Sequence, residues 1–289
     1  MHEPLNKTMH RGDLETQAGL RICSQLDTLL AELDDADLAP SSWYGELGDP
    51  PGPGSAEWHN RGVDYTPLPR AFDDTRWPWF LYWQIAWIAQ HAGFEPGQRV
   101  LDLGGSGSLF ACYLARLGLE VTAIDLQPEL VARGDQIARA MGWTMTHRTQ
   151  DIREVTAERP FDHVTSICVY EHIATEDRVE INRHLADLLA PGGRFSITFD
   201  YANPSRLARI GSPDDVREQF ITPAGLAVRG NETFCDNGKR YLLHPFYHHR
   251  ARPRYRLDEV LRGHFRPWSL LRKKTANDYT IGSLFLEKP

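Results

Sequence analysis

The sequence predicts an α/β protein in which a mostly parallel sheet is doubly wound, with helices on both faces. Three observations carry that expectation. From Trp77 onward, short apolar runs alternate with amphipathic ones at the spacing of repeated strand–helix units, which close into parallel sheets through right-handed crossovers. The run Val100–Ser108 passes from apolar residues into closely spaced glycines and then directly into a helical pattern. A chain of 289 residues that is 41% hydrophobic and 25% charged has the composition of a globular protein able to close a substantial core.

Taken in order, residues 1–39 place Leu14, Leu20, Ile22, Leu26, Leu29, Leu30 and Leu33 at amphipathic helical spacing, ending in the acidic cluster Asp34–Asp37. Pro40–Pro69 is rich in Gly, Pro and Ser and reads as a loop or linker. Residues 1–70 are therefore expected to form a helical N-terminal extension with its linker, and residues 71–289 the main domain. Trp77–Ala92 reads as an aromatic helix, Arg99–Leu103 as the first strand, and Ser108–Leu117 as a helix closed by Gly118. Glu120–Ile124 is the second strand, and Pro128 sits at the first turn of the helix after it. Strands three, four and five are expected at Thr144–His147, His163–Val169 and Arg194–Asp200, with a helix at Glu176–Leu189 and a turn at Pro191–Gly193. An irregular insert of about 201–265 follows. Two late strands, 268–272 and 279–286, are separated by too short a gap for a parallel crossover and are expected to pair antiparallel, making seven strands.

The net charge of −7 argues against general nucleic-acid affinity. Its distribution is uneven: residues 1–75 hold 5 basic and 14 acidic side chains, residues 229–274 hold 12 and 4. Either an anionic partner is bound or the two regions attract each other. No basic start leads into an apolar run, and the most apolar stretch, Phe80–Ala92, is broken by Gln84 and Gln90, so neither a secretory signal nor a membrane span is expected. The four cysteines lack metal spacing, and Cys112 and Cys168 fall inside apolar patterns that suit reduced core thiols. A cytoplasmic chain without a metal site is the expectation.

The glycines of Val100–Ser108 allow a ligand close to the backbone at the carboxyl end of a strand, where open α/β sheets bind ligands. Asp125 ends the second strand about twenty residues on, a spacing that suits a carboxylate on a ribose; its alternative is a cap for the helix at Pro128. A dinucleotide fingerprint needs a third small residue where Phe110 stands, and Asp102 would repel a pyrophosphate while attracting a cation. A sulfonium fits these residues better than a nicotinamide dinucleotide.

The ordered set Val100–Ser108, Asp125, Gln150–Ile152, Phe161–Ile173 and Leu189–Phe195 resembles the successive motifs of class I S-adenosylmethionine-dependent methyltransferases, over about residues 77–289. A narrower resemblance, through Tyr113–Gly118 and the Trp-Pro-Trp helix, is to bacterial methyltransferases of glycan and secondary-metabolite pathways. The resemblance implies a Rossmann-like sheet and S-adenosyl-L-methionine as cofactor. It implies that Asp102, Gly104, Gly105 and Ser106 meet the methionine part, that Asp125 holds the ribose, and that Leu126 packs on the adenine. Asp151 would accept the adenine amino group beside Ile152, and Val169 and Tyr170 would line the methionine side. Ser106 and Ser108 replace glycines common in that loop.

Candidate groups for the acceptor cluster after strands four and five: Tyr170, Glu171, His172, Asp200 and Tyr201. The unperturbed pKa of a histidine side chain would suit His172 as a base near neutrality, with Glu171 beside it; alternatively both only order the loop. Trp77, Trp79 and Tyr82, at the start of the aromatic helix, are candidates to cover the cofactor or the acceptor, whereas Trp83 and Trp87 suit the core. His244 lies in a three-histidine run that is a substrate-facing loop, a metal site or plain surface. Arg250, Arg252, Arg254 and Arg256 alternate and would clamp an anion or bridge to the acidic N-terminal zone. The function expected is methyl transfer to a small-molecule hydroxyl on a sugar or natural-product intermediate. An RNA methyltransferase and a non-catalytic cofactor-binding module are the alternatives, and the oligomeric state is left open.

Overall fold

The computed structural model describes residues 4–41, 77, 79–203, 210–241 and 279–289. Five parallel strands, β1 (Arg99–Leu103), β2 (Glu120–Asp125), β3 (Met145–Thr149), β4 (Phe161–Ile167) and β5 (Leu189–Tyr201), are followed by two more, β6 (Ala227–Val228) and β7 (Thr280–Glu287). The seven form one sheet in the order β3-β2-β1-β4-β5-β7-β6, with β7 antiparallel to both of its neighbours. The helices are α1 (Gln17–Asp35), α2 (Trp79–His91), α3 (Leu109–Arg116), α4 (Pro128–Met141), α5 (Thr175–Leu188) and α6 (Pro213–Val216), the last running on through a π-helical turn at Arg217–Ile221. The mostly parallel, doubly wound class follows the sequence. None of the described helices is long and apolar enough to cross a membrane.

Side chains alternate across each strand, so the sheet separates two cores. Val100, Val121, Ile281 and Phe285 face α1, α2 and α3, while Leu101, Phe195, Ile197, Phe199 and Leu284 face α5 and α6. Most of α2 is buried because it lies between α1 and the β5–β7 side of the sheet, and its Trp83 and Trp87 rings stack 5.7 Å apart. In α1 the buried row is Ile22, Cys23, Leu26, Leu29 and Leu33. Leu20, expected on that row, is 44% exposed, because two residues of helix turn it about 200° away from Ile22.

The antiparallel pairing expected at the C-terminus is present, with β7 running antiparallel to β5 and to β6. Residues 268–272 lie outside the described residues, and both edges of β7 are occupied by other segments. One edge pairs with β5 from Arg194↔Glu287 to Tyr201↔Thr280, and the other meets β6 at Leu286 and Glu287. Toward Ile281 that second edge is taken by the N-terminal segment: Met9 N–H donates to the Ile281 carbonyl at 2.8 Å and Ser283 N–H to the Lys7 carbonyl at 2.9 Å. An exposed sheet edge is thereby covered. β4 ends earlier than expected because Cys168 takes a left-handed φ of 51°, and β5 begins earlier, running back through Pro191–Gly193.

The same N-terminal segment is anchored by a buried ion pair. Lys7 Nζ lies 2.8 Å from Asp13 Oδ1, and Trp83 Nε1–H donates to Asp13 Oδ2 at 2.7 Å. Lys7 also sits 4.2 Å from the Trp87 ring centroid. Burying both charges stabilises little by itself, but removing one strands the other in a low-dielectric setting. Asp13→Ala is expected to cost about 3–5 kcal/mol, read as a lower urea midpoint, with Lys7→Met costing less because the stranded Asp13 keeps its hydrogen bonds from Trp83 Nε1–H and His10 N–H.

Candidate active site

A cavity of about 1090 Å³ opens at the carboxyl ends of β1, β2, β4 and β5, where a doubly wound sheet leaves its crevice. Its floor is the β1–α3 loop. Gly104 has φ 67°, and a Cβ there would lie 2.5 Å from Val169 Cγ2. A Cβ on Gly105 would lie 1.8 Å from Asp102 Oδ2, so only glycine lets the loop fold back over that carboxylate. Ser108 caps α3, its Oγ accepting from Ala111 N–H at 3.1 Å.

Asp102 is 1% exposed. Its Oδ1 accepts from Thr165 Oγ1 at 2.7 Å, while Oδ2 is buried with no hydrogen-bond partner among the described residues. Burial pushes the carboxyl up to about 7, with the Asp125 charge adding to the rise and the Thr165 hydroxyl opposing it. A buried carboxylate oxygen without a partner among the described residues, at the border of a cavity, suits a cation. Asp125, at the end of β2, lines the next wall; its Oδ1 accepts from Gln127 N–H at 3.0 Å in a local turn. Burial raises its pKa too. Helix α4 starts after Gln127 with no side-chain cap, so Asp125 braces the turn and does not cap the helix. Leu126, 70% exposed beside it, presents an apolar surface at the cavity mouth.

Asp151 and Ile152 complete that end. Asp151 holds Arg153 through Nε at 3.0 Å and Nη2 at 2.6 Å, and this guanidinium keeps its carboxyl down at about 2. Ser106, expected with the glycines, is buried beneath the loop and is not among the cavity's lining residues. Tyr170 borders the cavity, but its ring turns into the second core between Phe195 and Phe220.

The inner end gathers Cys168, Glu171, His172, Asp200, Asn203 and Tyr279. Glu171 and Asp200 are buried and His172 is exposed on the wall. Asn203 Nδ2 donates to Asp200 Oδ2 at 2.7 Å. Sγ of Cys168 and one oxygen each of Glu171 and Asp200 lie within 4.8 Å of one another, the one set of metal-ligand type among the described residues. Cys168, read from sequence as a core thiol, is only half-buried and faces this cluster because its left-handed backbone turns it out of the strand.

The expected acceptor residues on α2 lie elsewhere. Trp77, Trp79 and Tyr82 are buried in the core: Trp79 meets the Tyr241 ring at 5.1 Å and Tyr82 donates to Asp27 at 2.8 Å. The cavity is lined from α2 by Leu81, Gln84 and Ile85, on another face of the helix. Tyr201 points away from the cavity onto Phe234, since alternation puts Asp200 on the cavity side. His244 and the arginines at 250, 252, 254 and 256 lie outside the described residues. Sequence reading missed Ser41 as well; its N–H donates to the Gly107 carbonyl at 2.7 Å, and it lines the cavity.

Comparison with known proteins gives this geometry its class. Residues 100–193 match the family model of the methyltransferase domain. The chain is 38% identical over 145 residues to a ubiquinone biosynthesis O-methyltransferase of Xanthomonas euvesicatoria pv. vesicatoria, covering 46% of this chain and 60% of that one. It is 35% identical over 175 residues to the ubiquinone biosynthesis O-methyltransferase of Xanthomonas oryzae pv. oryzae, covering 54% and 70%. This chain thus spans 60% to 70% of the length of these relatives. A solved phosphoethanolamine N-methyltransferase 2 of Haemonchus contortus aligns at a TM-score of 0.48 and 20% identity, over 70% of this chain and 51% of that one. The chain belongs to the class I S-adenosylmethionine-dependent methyltransferases.

The residues present fit that cofactor. Asp102 Oδ2 is a buried acceptor without a partner among the described residues, and Gly104 and Gly105 pack so closely on Val169 and Asp102 that the loop lines the cavity with bare backbone. Six carboxylates, those of Asp102, Asp125, Asp151, Glu171, Asp177 and Asp200, line the described cavity against one guanidinium, Arg153. Cation binding at Asp102 should expel a proton below pH 7. The carboxyl is raised in the free protein, so its stabilising protonation is fully present below 3.8 and lost as pH rises through 7. Affinity for S-adenosylhomocysteine, whose sulfur is neutral but whose α-ammonium is a cation, is accordingly expected to climb up to about tenfold per pH unit toward 7 and then level off. Asp102→Asn should abolish that slope in calorimetry and leave the ligand-free protein more stable above pH 7.

Proposed function

We propose that this chain is an S-adenosylmethionine-dependent O-methyltransferase acting on a hydroxyl of a small molecule. The observation that carries the reading is the buried Asp102 oxygen, without a partner among the described residues, next to the Gly104–Gly105 loop and the Asp125 carboxylate at one end of a cavity. When bound, the cofactor supplies an electrophilic methyl group on a sulfonium. Asp102 and the backbone at Gly104 and Gly105 hold its methionine part, Asp125 its ribose, and Leu126, Asp151 and Ile152 its adenine. Val169 lines the methionine side, packed against the loop at Gly104.

The acceptor lies at the inner end, between α2 and the turns after β4 and β5. An excess of carboxylates in the described lining favours a neutral hydroxyl there over an anionic group. His172, exposed on the cavity wall, takes the hydroxyl proton, and the adjacent Glu171 orders the turn from a buried position. A sugar or natural-product hydroxyl fits these terms, and so does a ring hydroxyl of the kind implied by the ubiquinone-pathway names of the relatives. The described N-terminal segment packs with α2 and α3 and reaches the cavity at Ser41, so the extension and the domain at 71–289 are proposed to act as one unit.

The test is a thermal shift with S-adenosylhomocysteine and NAD side by side, followed by release of S-adenosylhomocysteine from S-adenosylmethionine over a panel of hydroxylated acceptors. A shift with the first ligand alone, lost in Asp125→Ala, is expected. A shift with NAD alone would overturn the reading. On the best acceptor, His172→Ala is expected to lower kcat about 100-fold or more while leaving S-adenosylhomocysteine affinity unchanged. An unchanged kcat would remove His172 from the reaction.

A further inference from the structure

Arg178, near the start of α5, is 0% exposed. It shares the buried face of that helix with Ile181, Asn182 and Leu185, a spacing that puts all four on one side. A buried charge is costly unless it is paired and hydrogen-bonded. Here Nε–H donates to the Tyr170 carbonyl at 2.8 Å, and Nη1–H donates to Gln219 Oε1. Burial lowers the pKa of the guanidinium, and the nearby Glu171 carboxylate opposes that fall.

Gln219 is delivered by the π-helical turn Arg217–Ile221, and Pro223 accounts for that turn. A proline has no N–H to give the carbonyl four residues back, and its ring crowds that carbonyl. The carbonyl in question belongs to Gln219, and Asn182 Nδ2 donates to it at 2.7 Å. Thr222 N–H reaches back to the Arg217 carbonyl, the wider closure of a π-turn, a form frequent at functional sites. The neighbouring Phe220 ring meets the Tyr170 ring at 5.3 Å. One turn of the insert therefore holds Tyr170 twice, by its ring and, through Arg178, by its carbonyl.

Tyr170 follows Val169, which presses on Gly104 so closely that a Cβ there would lie 2.5 Å from Val169 Cγ2. We infer that Arg178 is a positioning residue for the cofactor loop: it fixes the Tyr170 carbonyl from behind and so sets Val169 against Gly104. Neither Arg178 nor Gln219 lines the cavity. The insert after β5 thus bears on cofactor affinity from the far side of the turn, through packed and hydrogen-bonded contacts. The identity of the ligand rests on the methyltransferase reading; the hold on the turn does not.

The test compares the full chain with Arg178→Met, Arg178→Lys and Gln219→Met, by calorimetry with S-adenosylhomocysteine and by amide hydrogen exchange of the ligand-free proteins. Arg178→Met keeps the hydrocarbon stem but removes the charge and both donors, and is expected to bind about tenfold more weakly. Arg178→Lys keeps the charge and one donor for the Tyr170 carbonyl, and is expected to recover most of that loss; a packing role would leave the two variants alike. Gln219→Met withdraws an acceptor from the guanidinium and is expected to weaken binding about threefold. The His172 and Ile173 amides bond the Val169 and Tyr170 carbonyls at 3.0 Å. In Arg178→Met and Gln219→Met these two amides are expected to exchange faster while those of β1 keep their wild-type rates. Wild-type affinity in Arg178→Met, or equal affinities in Arg178→Met and Arg178→Lys, would overturn the inference. If Arg178→Met does not fold, Gln219→Met decides, and wild-type affinity and exchange in that variant would overturn it too. Failure of the wild type to bind S-adenosylhomocysteine would overturn the methyltransferase reading, and the exchange rates of the turn would then decide the inference alone.

Discussion

Asp102 is held inside the protein with one oxygen on Thr165 and the other without a partner among the described residues, and much of the site is arranged around that half-satisfied carboxylate. β1 must deliver it at the carboxyl edge of the sheet, β4 must supply the threonine beside it, and the next residues must fold back so closely that Gly105 has no room for a side chain. A buried carboxylate without full compensation costs stability. Binding of a cationic group would offset that cost, as the proposed contact with the cofactor does. The loop's shape, the raised pKa and the helix that begins at Ser108 follow from one requirement.

The other end of the cavity follows a different logic. Its polar groups sit on the α2-facing side of β5 and on the turn after β4, bordered by a helix that is mostly tryptophan, tyrosine and aliphatic residues. Polar atoms in such a setting are few, so each has a large effect on what fits. Gln84 Oε1 accepts from both Thr198 and Cys168, which ties α2 to β5 and to the segment that leads into the turn carrying Glu171 and His172.

Much of this was legible before any coordinates. The strand–glycine–helix run, Asp125 after β2 and the order of the later motifs follow from local rules, because backbone dihedrals and strand ends are set by a few neighbouring residues. The placements on α2 were not legible. A helix buried on nearly all sides has no amphipathic face to read, so Trp79 and Tyr82 looked as well placed as Leu81 and Gln84. Tyr201 and Asp200 were equally ambiguous, since a shift of one residue exchanges the two faces of a strand. Gln84 did leave a trace as the polar interruption in the most apolar stretch, but its partners, Cys168 and Thr198, are far along the chain. The second edge of β7 is illegible for the same reason: it is filled by residues 6–9 and 227–228, which no local pattern links to it.

The staple between residues 6–9 and β7 bears on how the chain comes together. Asn6 Oδ1 accepts from Phe285 N–H at 2.8 Å across a separation of 279 residues. Neither segment can find its place until nearly everything between them has been synthesised, and contacts of such separation are the slow ones to form. Until that closure, the outer edge of the sheet beyond β5 is bare and α2 lacks the carbonyl of Leu5 that receives Trp87 Nε1–H at 3.2 Å. A nascent chain would therefore carry a nearly finished nucleotide-binding half while its acceptor half still waited for the last strand.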